Sequence, residues 1–261
     1  MGFCSGDQIR RGAVWGLLTS TFVHSQIWHV AFNVYWLWVL GTRLEKAVGH
    51  FAWFAIFFGT AVFSSLAELA VAGTTGIGAS GAAYGLFGFM WVTSNRFPEF
   101  KEVLDARTSF LFLVWLIGCV VMSLTGIWSM GNAAHVGGLI FGAGCGAWLV
   151  YKEQRQRITR GLAFISIVAI AAVLWAPWSS EWTSWRALRA HENGDYPAAI
   201  RWYRKSLQLG CDKAWCWHNM ALAYHEMADD AHYKEAFSKL QALDPKAATN
   251  LESEIARDSS K

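Results

Sequence analysis

The chain has 261 residues, of which 54% are hydrophobic and 16% charged, with 16 Trp, 17 Phe and a formal net charge of +3. Soluble domains carry about 25% charged residues, so this composition excludes an ordinary water-soluble fold and points to a bilayer. Nucleic acid is not expected as a partner, because the basic residues lie in short stretches between apolar runs and form no continuous stripe.

Residues 1–11 are too short and polar to span a membrane, and they lack the basic-then-apolar pattern of a signal peptide. Beyond them, Asp, Glu, Lys and Arg are absent from 12–42, 47–67, 69–95, 108–151 and 161–180. Each gap is long enough for one span and two could hold more. Dividing the gaps at Gly, polar and interfacial residues predicts six helices, over 27–42, 51–71, 79–95, 109–127, 133–151 and 161–177. The connections 43–50, 96–107 and 152–160 carry nine basic residues and the alternate connections 72–78 and 128–132 carry none. That asymmetry predicts cytoplasmic basic loops, with the chain start and the C-terminal region outside.

From residue 181 the charge density recovers. Residues 1–180 hold 11 basic and 7 acidic side chains, residues 181–261 hold 11 and 12, and the positive balance belongs to the membrane part. The cysteines say little: Cys4, Cys119 and Cys145 are scattered, Cys211 and Cys216 lack metal spacing, and structural filler is the expectation for all five. No metal site is expected, since His24, His29 and His135 are not paired with Cys or Asp at ligand spacing, and no cofactor is expected. His24 is assigned to the outer loop.

A polar side chain at membrane depth calls for a partner or a function. Ser80 opens the 79–95 helix in "GIGASGAAYG", beside Gly78 and Gly81, with Tyr84 one turn on along the same face. His135 lies near the outer end of the 133–151 helix in "NAAHVGGLIFGAG", where Gly138, Gly142 and Gly146 form a stripe at four-residue spacing. Gly81, Gly85 and Gly88 form the matching stripe, so the two helices can approach closely and bring Ser80 within hydrogen-bonding reach of His135. His29 and Asn33 share a helix face in "WHVAFNVYW", and both can donate hydrogen bonds to a developing oxyanion. The ordinary alternatives are packing for Ser80 and Tyr84 and a proton relay or ligand site for His135. The conjunction of nucleophile, base and donors at matching depth favours a serine hydrolase. Glu45 is expected to be solvated or paired locally beside Arg43 and Lys46; Glu68, near the outer end of its span, could line a water path, and the favoured expectation is that it reaches the outer interface.

These motifs resemble the rhomboid intramembrane serine proteases. "HVAFN" matches the family's His-x-x-x-Asn, "GASG" its Gly-x-Ser-Gly with the Tyr one turn on, and "AHVGGLIFG" its Ala-His-x-x-Gly-x-x-x-Gly. "LLTSTFVHSQIWH" resembles the membrane-dipping outer loop and "LEKAVGH" the turn that ends the following helix, so the resemblance covers about residues 12–151. It implies an all-α polytopic membrane bundle and acyl transfer by a Ser80–His135 dyad without an acidic third member. Tyr84 would orient the His135 ring, and His29, Asn33 and the Ser80 backbone N–H would line the oxyanion hole with Gly78 in support. The implied substrates are single-span membrane proteins, and the implied location is the bacterial inner membrane. Departures from the pattern are Trp15-Gly16 where the family often has Trp-Arg, an extra helix over 161–177, and no counterpart of the first family helix ahead of the outer loop.

After residue 181, a shift of 34 residues aligns Leu188 with Leu222, Tyr203 with Phe237, Lys205 with Lys239 and Leu209 with Leu243. Thirty-four is the tetratricopeptide period, and "WHNMALAY" resembles that family's first-helix pattern. Helices are expected over 183–193, 196–209, 214–227 and 231–242, the last ended by Pro245. Two repeats fall short of the three usually needed, so the residues after 246, the membrane or another chain must complete them. The expected organisation is a membrane core over 1–151, a cytoplasmic loop and extra span over 152–180, and a helical repeat domain over 181–261 that binds a protein or peptide on the outer face. The competing reading is a non-catalytic rhomboid-like scaffold, which would have no need of the intact Ser80 and His135. A transporter would require acidic residues at mid-membrane depth.

Overall fold

The computed structural model describes residues 4–258. The chain forms two compact units, Met1–Leu174 and Trp175–Lys261, and is helical with no strand among the described residues.

The first unit begins with two short helices, α1 (Gly6–Arg10) and α2 (Gly16–Thr19). The long helix α3 (Ile27–Val48) continues through Arg43 and Lys46, which the sequence reading placed in a loop. The helix runs on because Leu40 and Leu44 are both fully buried one turn apart, so the apolar period persists past the first charge. Gly49 then breaks it at φ 85°, a conformation costly for any residue with a Cβ, and α4 (His50–Ala72) starts at the next residue.

The next helix, α5 (Ser80–Thr93), is the hub. Every residue from Gly81 to Met90 is buried, so the helix is apolar all round and packs against α3, α4 and α8. A four-residue turn, α6 (Phe100–Val103), leads to α7 (Ala106–Leu124), whose surface is largely exposed. The last two helices of the unit are α8 (Asn132–Val150) and α9 (Arg155–Leu174), with α9 packed on α4 and α8. Each of the six expected spans coincides with one of these long helices, with ends displaced by a few residues. Among the described residues, α4, α7, α8 and the segment Lys152–Leu174 are long and apolar enough to cross a bilayer. The chain is a multi-pass integral membrane protein. Two helices fall outside that criterion for physical reasons: α3 carries His29, Asn33 and Arg43, and α5 has only 14 residues.

Glycine decides how α5 meets α8. A methyl group on Gly138 would run into the carbonyl oxygen of Gly81, one on Gly142 into that of Gly85, and one on Gly88 into that of Leu139. The main chains of the two helices are in contact, as the matched stripes predict.

The second unit contains α10 (Ser180–Glu192), α11 (Tyr196–Gln208), α12 (Lys213–Glu226), α13 (Asp230–Leu243) and α14 (Pro245–Asp258). Asp195, Asp212 and Asp229 recur every 17 residues, and each accepts a hydrogen bond from an amide of the helix it precedes, at Ala198, Trp215 and His232. Such caps satisfy amides that otherwise have no intrahelical partner. Pro245, expected to end the repeat, instead opens α14, because proline suits the first helical turn, where its missing N–H is not needed. Ala248 and Leu251 of α14 are buried in the same core as Tyr203, Met220 and Leu240. The region after 246 therefore completes the packing that two helix pairs leave open. Cys211 and Cys216, expected as filler, are joined by a disulfide at the start of α12.

Candidate active site

Ser80 is the first residue of α5, preceded by Ala79, whose side chain cannot cap the helix. The first amides of α5, that of Ser80 among them, have no carbonyl of their own helix to bond. The turn ahead of Ser80 passes through Gly78 at φ 96°, and a Cβ there would lie 2.6 Å from the His29 ring and 3.2 Å from the Asn33 amide nitrogen. Gly78 is required twice over, by its backbone conformation and by the close approach of α3. Its own N–H is committed elsewhere, donating to the carbonyl of Ser20 at 3.1 Å.

His135 sits in the first turn of α8 and is 3% exposed, whereas Ser80 is half-buried. Ser80 Oγ lies 2.7 Å from His135 Nε2. For the hydroxyl to donate, Nε2 must be the unprotonated nitrogen and the ring proton must be on Nδ1. Nδ1 is buried and has no hydrogen-bond partner among the described residues, so no carboxylate orients the ring. Tyr84 supplies the contact instead: its ring centroid is 5.0 Å from that of His135, and its hydroxyl donates to the Phe112 carbonyl on α7 at 2.8 Å. A hydroxyl paired with an imidazole in this way can attack an electrophilic carbonyl while the imidazole takes its proton.

His29 and Asn33 are one turn apart on α3 and face the same cavity as Ser80 and His135. That cavity is about 680 Å³ and is walled by Trp28 and Trp128, whose rings meet edge to face at 5.0 Å. A second, smaller space of about 130 Å³ adjoins Ser80 between Phe32, Trp36, Tyr84, Phe112 and Trp115. All six residues singled out by the sequence (Ser80, His135, His29, Asn33, Tyr84 and Gly78) thus come together at one place.

Two further residues reach the site. His24, in the connection before α3, has Nε2 at 2.9 Å from the Asn33 amide nitrogen and its ring 4.8 Å from that of His29. One of the two Asn33 amide protons is therefore engaged by His24. Glu68 does not reach an interface: it is 6% exposed, lines the cavity, and accepts a hydrogen bond from the Ala134 amide at 2.9 Å. The available signal was the grouping of Ser64, Ser65 and Glu68 on one face of an otherwise apolar helix. Among the described residues no group of three His, Cys, Asp or Glu has the arrangement of a metal site.

Comparison with known proteins adds an independent observation. A family model described as "Rhomboid domain" matches residues 11–153. Similar relatives include "Rhomboid protease GlpG" of Yersinia pseudotuberculosis serotype I (strain IP32953), 33% identical over 142 residues that make up 54% of this chain and 50% of the relative. The protein of the same name from Serratia proteamaculans (strain 568) is 33% identical over 135 residues, 52% of this chain and 48% of the relative. The chain spans about half the length of these curated relatives.

Proposed function

From the premise that this chain belongs to the rhomboid family, we propose that it is an intramembrane serine endopeptidase that cleaves transmembrane-protein substrates. The single observation that carries the reading is the 2.7 Å approach of Ser80 Oγ to His135 Nε2 beside an open cavity. In this reading Ser80 attacks the scissile carbonyl, and His135 takes the hydroxyl proton and returns it to the leaving amine. Water then resolves the acyl-enzyme by the same route. His29, Asn33 and the Ser80 backbone N–H stabilise the oxyanion, Tyr84 holds the imidazole, and Gly78 makes room for the His29 ring.

The length of α5 supports a site below the membrane surface. Its 14 residues rise about 21 Å, against a hydrocarbon core of about 30 Å, so at least one of its ends stops short of a boundary. A cavity of this size opening beside Ser80 is what the supply of water to that depth requires.

The absence of basic residues from 72–78 and 128–132 supports an outward-facing site in a bacterial inner membrane. We assign residues 1–151 to the protease core, 152–180 to a cytoplasmic loop and additional span, and 181–261 to a tetratricopeptide-like module that binds a protein or peptide partner. The 34-residue alignment and the recurrent Asp caps support that last assignment.

Purified full-length protein in detergent or liposomes, incubated with a model single-span substrate, tests the proposal. Cleavage by the parent with none by Ser80→Ala or His135→Ala is the expected result. A folded parent that leaves every such substrate intact would instead favour a scaffold that holds membrane clients.

A further inference from the structure

We propose that Glu68 is a positioning residue for the reaction, clamping the first turn of α8 so that His135 is held at the depth and heading that meet Ser80. This rests on the protease reading above.

The helix that carries His135 starts without a cap of its own. Its N-cap residue is Gly131, which has no side chain with which to accept a hydrogen bond from the first amides. The cap is supplied from a different helix: Glu68 Oε2 on α4 accepts from the amide of Ala134, the residue immediately before His135. Gly131 leaves room for it, since a Cβ there would already lie 3.7 Å from the Glu68 carboxyl carbon. The same side chain also touches the other half of the site. A Cβ on Gly76, in the turn that leads to Ser80, would lie 3.3 Å from Glu68 Cγ. Glu68 is thus wedged between the two segments that deliver Ser80 and His135.

Its neighbours on α4 complete the pattern. Ser65 Oγ is 3.2 Å from Ser20 Oγ in the segment ahead of α3, and Ser64 packs where a side chain on Gly81 would otherwise stand. One face of α4 thereby contacts the outer loop, α5 and α8 through three polar residues, Ser65, Ser64 and Glu68. A carboxylate inside a membrane bundle is costly unless something compensates it. Among the described residues no basic side chain forms an ion pair with Glu68. The compensation available to it is the positive end of the α8 dipole and the Ala134 N–H.

The test uses the full-length chain in liposomes and compares the parent with Glu68→Gln, Glu68→Ala and the double variant Glu68→Ala with Gly131→Ser. The readouts are kcat and KM on a single-span substrate, together with the thermal midpoint. Glu68→Ala should lower kcat about 10- to 100-fold with KM within about twofold, because a misdirected base affects the chemical step rather than docking. Glu68→Gln keeps an acceptor oxygen and should recover most of the loss. Gly131→Ser places a cap in the helix itself, at a φ of −73° that any residue accepts, and should recover part of it. An active parent with Glu68→Ala at the parent's kcat overturns this inference alone. So does a Glu68→Ala loss that neither Gln nor the Gly131→Ser cap repairs, since that pattern belongs to general destabilisation. A folded parent without activity overturns the protease reading and this inference with it.

Discussion

The hydroxyl of Ser80 and Nε2 of His135 stand 2.7 Å apart although 55 positions separate them in the chain. What holds them there is backbone contact: Gly138 against the Gly81 carbonyl, Gly142 against that of Gly85, and Gly88 against that of Leu139. Gly138→Ala or Gly142→Ala should push α8 off α5, abolish substrate cleavage and lower the thermal midpoint, the steric cost being roughly 1–3 kcal/mol or more. Gly118→Ala on α7, where an added Cβ meets nothing within 4 Å, should leave both unchanged. Cleavage assays and melting curves on the three variants decide the matter, and an active Gly142→Ala enzyme would contradict the packing described.

Tyr84 makes two separable contributions, the face it offers the His135 ring and the hydroxyl it gives to the Phe112 carbonyl. Tyr84→Phe retains the first and removes the second hydrogen bond to a carbonyl that α7 already pairs within itself, at a cost of about 0.5–1.5 kcal/mol in stability. Tyr84→Ala removes both. Kinetics should rank the parent above Phe and Phe above Ala in kcat, and equal kcat for the two variants would show that ring contact is irrelevant.

Asn33 is 2% exposed and shares the cavity with Ser80, with an amide proton left over after His24 takes one. Replacing it by Ala should reduce kcat by about 100-fold, the usual effect of deleting one oxyanion donor, with little change in KM. His24→Ala frees the amide to rotate and should cost less. An Asn33→Ala enzyme with normal kcat would remove it from the catalytic assignment.

The second unit carries a pH signature of its own. Burial pulls the titration of His191 below the ordinary histidine range, with Glu226 and Glu192 opposing the shift. The unfolded chain therefore binds the proton more readily than the folded one, and stability is lost as pH falls through the ordinary histidine value. The unit should unfold at lower denaturant concentration at pH 5.5 than at pH 7.5, read from tryptophan fluorescence, and His191→Gln should flatten the difference. A denaturant midpoint that does not move between the two pH values would exclude His191 as its source.

How much of this was legible beforehand follows from the physics of each residue. The glycine stripes, the Ser80 turn and the His29–Asn33 pair were legible because membrane interiors tolerate few polar or small residues without reason. The helix that carries Arg43 and Lys46 outruns its charge-free stretch, because charge alone marks no boundary while Leu44 keeps the apolar period running into the core. Pro245 reads in the sequence as a stop and serves as a start, since proline is compatible with both and only the burial of Ala248 and Leu251 distinguishes them. The capping role of Glu68 is hidden for a different reason. A lone carboxylate near a helix end ordinarily reaches water, and its partner is an amide contributed 66 positions later, which leaves no mark in a local pattern.

The bare contact between α5 and α8 also bears on how this site can change over time. A gap set by side chains drifts whenever a core residue is exchanged, whereas a gap set by main chain against main chain works as a fixed gauge. Phe112 and Trp36, which line the smaller space beside Ser80, take no part in that main-chain gap. The lining of the cavity is thereby free to follow new substrates while the chemistry stays where it is.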